Sequence, residues 1–346
     1  MIDERIRQLC LAPPRACGPP LGSGRLRTAP EDFVVDELLG FEPAGAGHHT
    51  LLRVRKRQAN TEWVARQLAR EARVKPFDVG YAGLKDRHAV ATQWFSVPAG
   101  RREPQSWLQF AGEGFAVLEA HAHARKLPRG ALAGNRFEIR VRGCSVSAEA
   151  LQQRAQLIVR SGVPNYFGPQ RFGRDLGNLQ LAAGARAGGF QISAARSLIF
   201  NAVLAARVTD GSWNRLLPGE LANLDGSGSH FAVASVDADL QARLEALDIH
   251  PSGPLWGEGP PQPGAELARY EAAIAQEFPA ALATLAGAGA EAARRSLRLA
   301  AHDLRVECEQ HDVLLRFELR SGGFATTVLR EFFDVAEQGD ADAGSS

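Results

Sequence analysis

The pattern of this chain changes twice, at about residue 161 and again at about residue 300, and those two changes limit what it can fold into. Up to residue 160 the text is strand-rich. Strands are predicted at Phe33–Val35, Leu51–Arg55, Phe77–Tyr81, Thr92–Val97, Ala116–Ala124 and Asn135–Val141, several with apolar residues at every second position. Asn60-Thr61 predicts a capped helix with Trp63, Val64, Leu68 and Ala72 on its apolar side, and Ser147 opens a second helix through Arg160. From Ser161 helical spacing takes over, at Ile192–Val208, Asp237–Leu247, Ala265–Phe278 and Ala290–Leu299. Strands return at Leu304–Glu309 and Val313–Leu319, followed by a helix over Phe324–Phe333. Strands, then helices, then strands again is the pattern of one domain inserted into another. The expectation is an α+β core of residues 1–160 plus 300–346, interrupted by a mainly helical insert of residues 161–299. The first 20 residues carry Pro13, Pro14, Pro19 and Pro20 and predict an irregular arm; the acidic tail Glu337–Ser346 predicts disorder.

At 346 residues there is enough chain for two such domains, each with its own core. No run of about 18 apolar residues appears, and the start lacks a basic flank with an apolar stretch behind it, so neither a membrane span nor a signal peptide is expected. Cys10, Cys17, Cys144 and Cys308 are scattered, which argues against zinc and against a disulfide framework and favours a reduced, cytoplasmic setting. The overall charge of +1 conceals a polarity along the chain. Residues 1–207 hold 30 Lys and Arg against 17 Asp and Glu, a balance of +13, and residues 208–346 hold 10 against 22, a balance of −12. Clustered cations suit a polyanion, although the two halves could equally neutralise each other or be separately solvated.

One segment stands out chemically. In Gly80-Tyr81-Ala82-Gly83-Leu84-Lys85-Asp86-Arg87-His88 a carboxylate lies between two cations at a strand-to-loop junction. Lys85 and Arg87 would favour the ionised form of Asp86, which suits a nucleophile better than an acid. Asn135 and Phe137, two apart on a predicted strand, face the same way. Phe137 alone reads as core alongside Ile139 and Val141. Asn135 in that apolar line is harder to explain, because a buried amide is costly unless satisfied. His88 is a weak candidate for a contact, and His121 and His123 share a strand face predicted to be solvated.

The Asp86 segment resembles the active-site motif of the tRNA pseudouridine synthase D family. Further matches follow in order at Pro30–Glu37, Gly134–Arg140, Val163–Gly173 and Phe324–Glu331. The resemblance implies a pseudouridine synthase mixed-sheet core with its own insertion domain, V-shaped with a basic cleft. It implies an isomerase acting on tRNA, at uridine 13 of the D arm and mainly in a glutamate tRNA. Asp86 would be the catalytic residue, with Phe33, Asn135, Phe137 and Phe324 against the substrate base. Arg27 stands where the family usually has lysine and could pair with Asp86; Lys85, Arg87 and Arg171 are candidates for ion pairs or RNA contacts. The loop around Arg171 could be an RNA-contact loop, a packed hinge, or both. The isomerisation has no redox step and cleaves no phosphate, so no metal and no cofactor is expected. A monomer away from membranes is expected.

Two other classes stay open: a catalytically silent RNA-binding protein or RNA chaperone on the same fold, and a carboxylate glycoside hydrolase using Glu31 or Asp32 as its second acid. The intact Asp86 argues against the first, and the absence of an aromatic sugar platform against the second.

Overall fold

A computed structural model describes residues 2–180, 186–260 and 262–337. The chain divides into two compact units, each built from separate stretches of sequence.

The sheet unit comprises Leu21–Gln152, His302–Gly322 and Phe333–Ser346. Its strands are β1 (Gly22–Leu26), β2 (Phe33–Leu38), β3 (His49–Arg57), β4 (Gly80–Tyr81), β5 (Val90–Pro98), β6 (Ala111–Gly112), β7 (Phe115–His123), β8 (Gly134–Val141), β9 (His302–Glu309), β10 (Asp312–Arg320) and β11 (Phe333–Glu337). Nine of them form one sheet in the order β9-β10-β8-β2-β5-β3-β7-β6, with β4 also on β5. The β2–β5 pair is parallel and the other pairs are antiparallel, while β1 and β11 form a separate parallel pair. The segment expected as a strand over Phe77–Tyr81 is a single 3-10 turn, Pro76–Asp78, leading into the two-residue β4.

Register decides what each face carries. Glu37, Asn135 and Leu319 lie abreast; so do Val35, Phe137 and Phe317; so do Phe33, Ile139 and Leu315. Side chains alternate between faces, so these residues share one side. The other side carries a ladder of ion pairs: Arg136 to Glu318 at 2.6 Å, Arg316 to Glu138 at 2.6 Å, and Arg53 to Asp36 at 2.7 Å. The helix Thr61–Ala72 covers part of the apolar side, with Val64, Ala65 and Leu68 packed against Leu52, Val54 and Phe95. Burying a Val or Leu side chain of this kind contributes about 1.5–3 kcal/mol. Strand β8 begins at Gly134 because β10 passes too close for a side chain: a Cβ there would run into the Leu319 carbonyl. His123 is buried on β7 and not solvated as expected; its Nδ1 accepts from the Ala44 N–H at 3.2 Å.

The helical unit comprises Met1–Pro20, Gln153–Ala301 and Gly323–Phe332. Its centre is the helix Gly189–Thr209, apolar on most sides because neighbours surround it, including the helices Ala265–Gln276 and Pro279–Leu285. Among the described residues it is the one helix long and apolar enough to cross a membrane; 67% of its most apolar window is buried inside the protein. Arg207, fully buried within it, pairs with the equally buried Glu220 at 2.8 Å.

The first 20 residues are less irregular than the prolines suggest. Asp3 caps the helix Glu4–Leu11 by accepting from the Ile6 N–H at 2.8 Å, and Leu9 and Cys10 enter the core of the helical unit. The Glu331 carboxylate accepts from the Ala16 and Cys17 N–H groups, both at 3.0 Å. These contacts draw residues 1–20 and 323–332 into the helical unit, away from the core range assigned to them from the sequence. The helix expected over Phe324–Phe333 stops at Leu329, and the chain becomes β11 from Phe333. The largest difference is Ala290–Leu299. In place of a helix there are two short strands, Ala293–Ser296 on Ser252–Leu255 and Arg298–Leu299 on Val163–Pro164. Three arginines of the segment explain it: Arg294 pairs with Glu271 at 2.7 Å, Arg295 donates to Asn165 Oδ1 at 2.7 Å, and Arg298 donates to the Leu244 and Ile249 carbonyls at 2.7 Å. Those buried partners outweigh a helix propensity of a few tenths of a kcal/mol per residue, roughly. The tail expected to be disordered lies, from residue 338 onward, outside the described residues.

Candidate active site

Strand β4 ends at Tyr81 and β5 starts at Val90, and the loop between them carries Asp86. The loop is tied down along its length. Gln93 Nε2 donates to the Gly83 carbonyl at 2.7 Å, the Thr61 hydroxyl donates to Gln93 Oε1 at 3.0 Å, and the Lys85 N–H donates to Thr61 Oγ1 at 3.0 Å. From beneath, Lys56 Nζ donates to the carbonyls of Asp86 at 2.8 Å and Lys85 at 3.3 Å. The carboxylate of Asp86 emerges with its side chain 35% exposed. One oxygen accepts the His88 N–H at 2.9 Å, and the other meets Arg27 Nη2 at 3.1 Å.

The cations flanking Asp86 in sequence are therefore not its partners. Lys85 turns inward to Glu37, 2.7 Å away, and Arg87 donates to the Gln58 carbonyl at 3.3 Å. Glu37 is fully buried and also accepts the Trp94 N–H at 2.8 Å; burial pushes its carboxyl pKa up, against the opposing pull of Lys85.

Arg27 joins the carboxylate to an aromatic wall. Its backbone is left-handed (φ 56°), and its guanidinium lies 4.4 Å from the centre of the Phe33 ring. Phe33 meets Phe137 edge-on at 6.2 Å, and Phe137 stacks on Phe317 at 5.4 Å. Phe33 and Phe137 are 5% and 7% exposed, so each is also a packed residue. Asn135 is one step along the same face, opposite Glu37 on β2. Among the described residues its Oδ1 is buried without a hydrogen-bond partner, a cost of about 1–3 kcal/mol unless a ligand supplies the donor.

Phe324 and Arg171 belong to the helical unit. Phe324 precedes the short helix Ala325–Leu329 and is 42% exposed, less so than Phe77 and Phe190. Arg171 is exposed, donates to Ser193 Oγ at 2.8 Å and lies 5.1 Å from the Phe167 ring centre. Around it the loop is mostly core: Asn165, Tyr166, Phe167 and Phe172 are all buried, leaving Gln170, Arg171 and Arg174 at the surface.

Lys56, Glu37, Gln93 and Thr61 were not singled out from the sequence. The first three were findable, because each occupies an inward position of an alternating strand where an apolar residue belongs. The charge polarity along the chain does not follow the units. The sheet unit has 23 Lys and Arg against 23 Asp and Glu, and the helical unit 17 against 16. Among the described residues, no group of three His, Cys, Asp or Glu side chains is arranged to hold a metal ion.

The mixed α+β fold has a counterpart among solved structures. One from Methanosarcina mazei, named for tRNA pseudouridine synthase D, matches with a TM-score of 0.74 at 21% identity, over 96% of this chain and 98% of that one, which shows the same fold. A family model described as tRNA pseudouridine synthase D (TruD) matches residues 18–185 and 189–332. Curated relatives named tRNA pseudouridine synthase D include one from Methylococcus capsulatus, 49% identical over 95% of this chain and 96% of its own length. Another, from Chromohalobacter salexigens, is 45% identical over 92% and 95%. The chain belongs to the tRNA pseudouridine synthase D family.

Proposed function

We propose that this enzyme isomerises uridine to pseudouridine in tRNA, at position 13 of the D arm and mainly in a glutamate tRNA, with Asp86 as the nucleophile. In that reaction the bond from N1 of uracil to C1′ breaks, the base turns, C5 bonds to C1′, the C5 proton leaves to water, and N1 takes up a proton from water in its place. The observation that carries the reading is the state of Asp86: ionically paired with Arg27, held by a loop N–H, and still partly open. A carboxylate so held stays in one orientation, and attack on either C1′ or the base needs that orientation.

The neighbours support the same reading. A uracil extruded from RNA stacks on an aromatic face, for which the Phe33–Phe137 pair is suited. Uracil N3–H is a donor, and Asn135 Oδ1 is a buried acceptor in want of one. Lys85 acts on the loop through Glu37, and Phe324, Arg87 and Arg171 are candidates for contacts with the RNA. The reading carries with it action as a cytoplasmic monomer.

The test is tritium release from a glutamate tRNA labelled at C5 of its uridines, followed by mapping of the modified position. Release of one equivalent, with pseudouridine at position 13, is the expected outcome. Binding without release would leave an RNA-binding protein, and release from another position would overturn the assignment to the D arm.

A further inference from the structure

Lys56 does something that a lysine on an alternating strand rarely does. It sits on β3 between Ala91 of β5 and Phe115 of β7, and is 1% exposed. An ammonium has three N–H donors, and here they meet three backbone carbonyls: Ala59 at 2.9 Å, Asp86 at 2.8 Å and Lys85 at 3.3 Å. No carboxylate touches it among the described residues. A buried cation solvated by backbone dipoles alone is costly to keep, and an apolar residue would fill this position without that cost.

What the cation gains is control of the loop. Successive carbonyls of an extended chain point to opposite sides, whereas those of Lys85 and Asp86 converge on one nitrogen. We propose that Lys56 is a positioning residue for Asp86, fixing the two peptide planes of Lys85 and Asp86 and thereby the direction in which the Asp86 carboxylate leaves the loop. The proposal rests on Asp86 being the nucleophile. The carboxylate is held from the front by Arg27 and the His88 N–H, and its backbone from behind by Lys56. Losing the rear hold frees the peptide to rotate, and a displacement of about 1 Å at a reacting group costs on the order of 10²-fold in rate.

The charged groups acting on Lys56 are Asp86 and Lys85 of the loop and Glu37 of β2; the helix Thr61–Ala72 brings the uncharged Thr61 to the same loop. Burial is the largest influence and brings Lys56 down from 10.5 to about 8. The full three-donor form is therefore lost within a pH range in which tRNA can still be assayed.

The experiment compares the unsubstituted enzyme, Lys56→Met and Asp86→Asn, on a C5-tritiated tRNA at saturation. For Lys56→Met the expected result is a fall in kcat of about 10²-fold, with tRNA affinity within about threefold. The kcat of the unsubstituted enzyme should decline above about pH 8, and that decline should be absent from Lys56→Met. A folded Lys56→Met with kcat within about threefold of the unsubstituted enzyme overturns the proposal, as does a decline that persists in the variant. If Lys56→Met does not fold, nuclear magnetic resonance of the unsubstituted protein decides. The Lys56 side-chain signal and the amides of Asp86, Arg87 and His88 should titrate with one midpoint, and a loop indifferent to Lys56 overturns the proposal. Turnover by Asp86→Asn would instead remove the nucleophile assignment itself; an inert Asp86→Asn beside an active Lys56→Met removes only the positioning role.

Discussion

Phe137 offers the sharpest test of the active-site reading, because its neighbour Phe317 provides an internal control. The two rings stack at 5.4 Å on adjacent strands, and they are 7% and 1% exposed. Truncating a buried phenylalanine to alanine costs about 3–5 kcal/mol. For a unit of this size that lowers the melting temperature by roughly 2–4 °C per kcal/mol, or about 6–20 °C. Phe137→Ala and Phe317→Ala should suffer similar losses of stability. They should differ in turnover. Phe137 also meets Phe33, whose ring lies under the Arg27 guanidinium that pairs with Asp86. If uracil stacks there, losing the face removes about 1–3 kcal/mol, a further 5- to 150-fold or so that Phe317→Ala escapes. The affinity for tRNA, spread over many phosphate contacts, should barely change in either variant. Melting temperature, tRNA affinity and tritium release, measured on the same preparations below both transitions, give the answer. Equal activity per folded molecule in the two variants would reduce Phe137 to packing and refute the stacking argument.

Asp86→Asn should abolish tritium release while tRNA binding stays within about tenfold, roughly 1.4 kcal/mol, since the amide keeps the shape but not the anion; near-normal turnover would sink the nucleophile assignment. The affinity for tRNA should fall steeply with salt through counterion release, and a flat plot of log K against log salt would count against RNA held by its phosphates. Replacing Arg316, already committed to Glu138 at 2.6 Å and Glu307 at 2.9 Å, should leave that slope unchanged. Lys56 gives a stability signature as well: between pH 8 and 10.5 the unfolded chain holds its proton and the folded one has shed it, so its contribution to stability rises with pH across that window. Urea unfolding of the unsubstituted protein and Lys56→Met at both ends should show the rise in the first alone. Burial pushes the thiols of Cys10 and Cys17 up to about 12 and raises Cys144, so a thiol reagent should label Cys308, the exposed one, well before the others under native conditions.

Much of the sheet was legible because half-buried antiparallel strands write their geometry into the sequence. β3, β8 and β10 carry enough alternation to be read as strands, and their bounds fall within two residues of those expected. Ala290–Leu299 was not legible, because its arginines carry a local helix preference and a long-range need for Glu271, Asn165 and two backbone carbonyls. Only the second survives folding. The short strands of the helical unit, such as Leu221–Leu224 and Ser252–Leu255, were missed for a related reason: four residues are too few to show a period. The helix Glu4–Leu11 was hidden by the prolines that follow it, although Asp3 already supplied its cap. Asp86 was visible in the sequence, yet the reading of its flanking charges misplaced their effect. Adjacent residues in a loop point to different sides, and Lys85 found a better partner in a buried carboxylate than in its neighbour.

A single rule, applied strictly, would have recovered more of the site. Glu37, Lys56, Gln93 and Asn135 come from four adjacent strands, β2, β3, β5 and β8, and the registers put all four on the face whose other members include Phe33, Val35, Val54, Ala91 and Ile139. Each breaks an apolar alternation, and each break is expensive alone. Three are offset by the loop that carries Asp86: Gln93 and Lys56 bind its backbone, and Glu37 binds the side chain of Lys85. The fourth, Asn135, has no such partner for its Oδ1 among the described residues. Three polar side chains that hold the loop of Asp86 and a fourth with an open acceptor are what the proposed site would use to receive a polar, planar base.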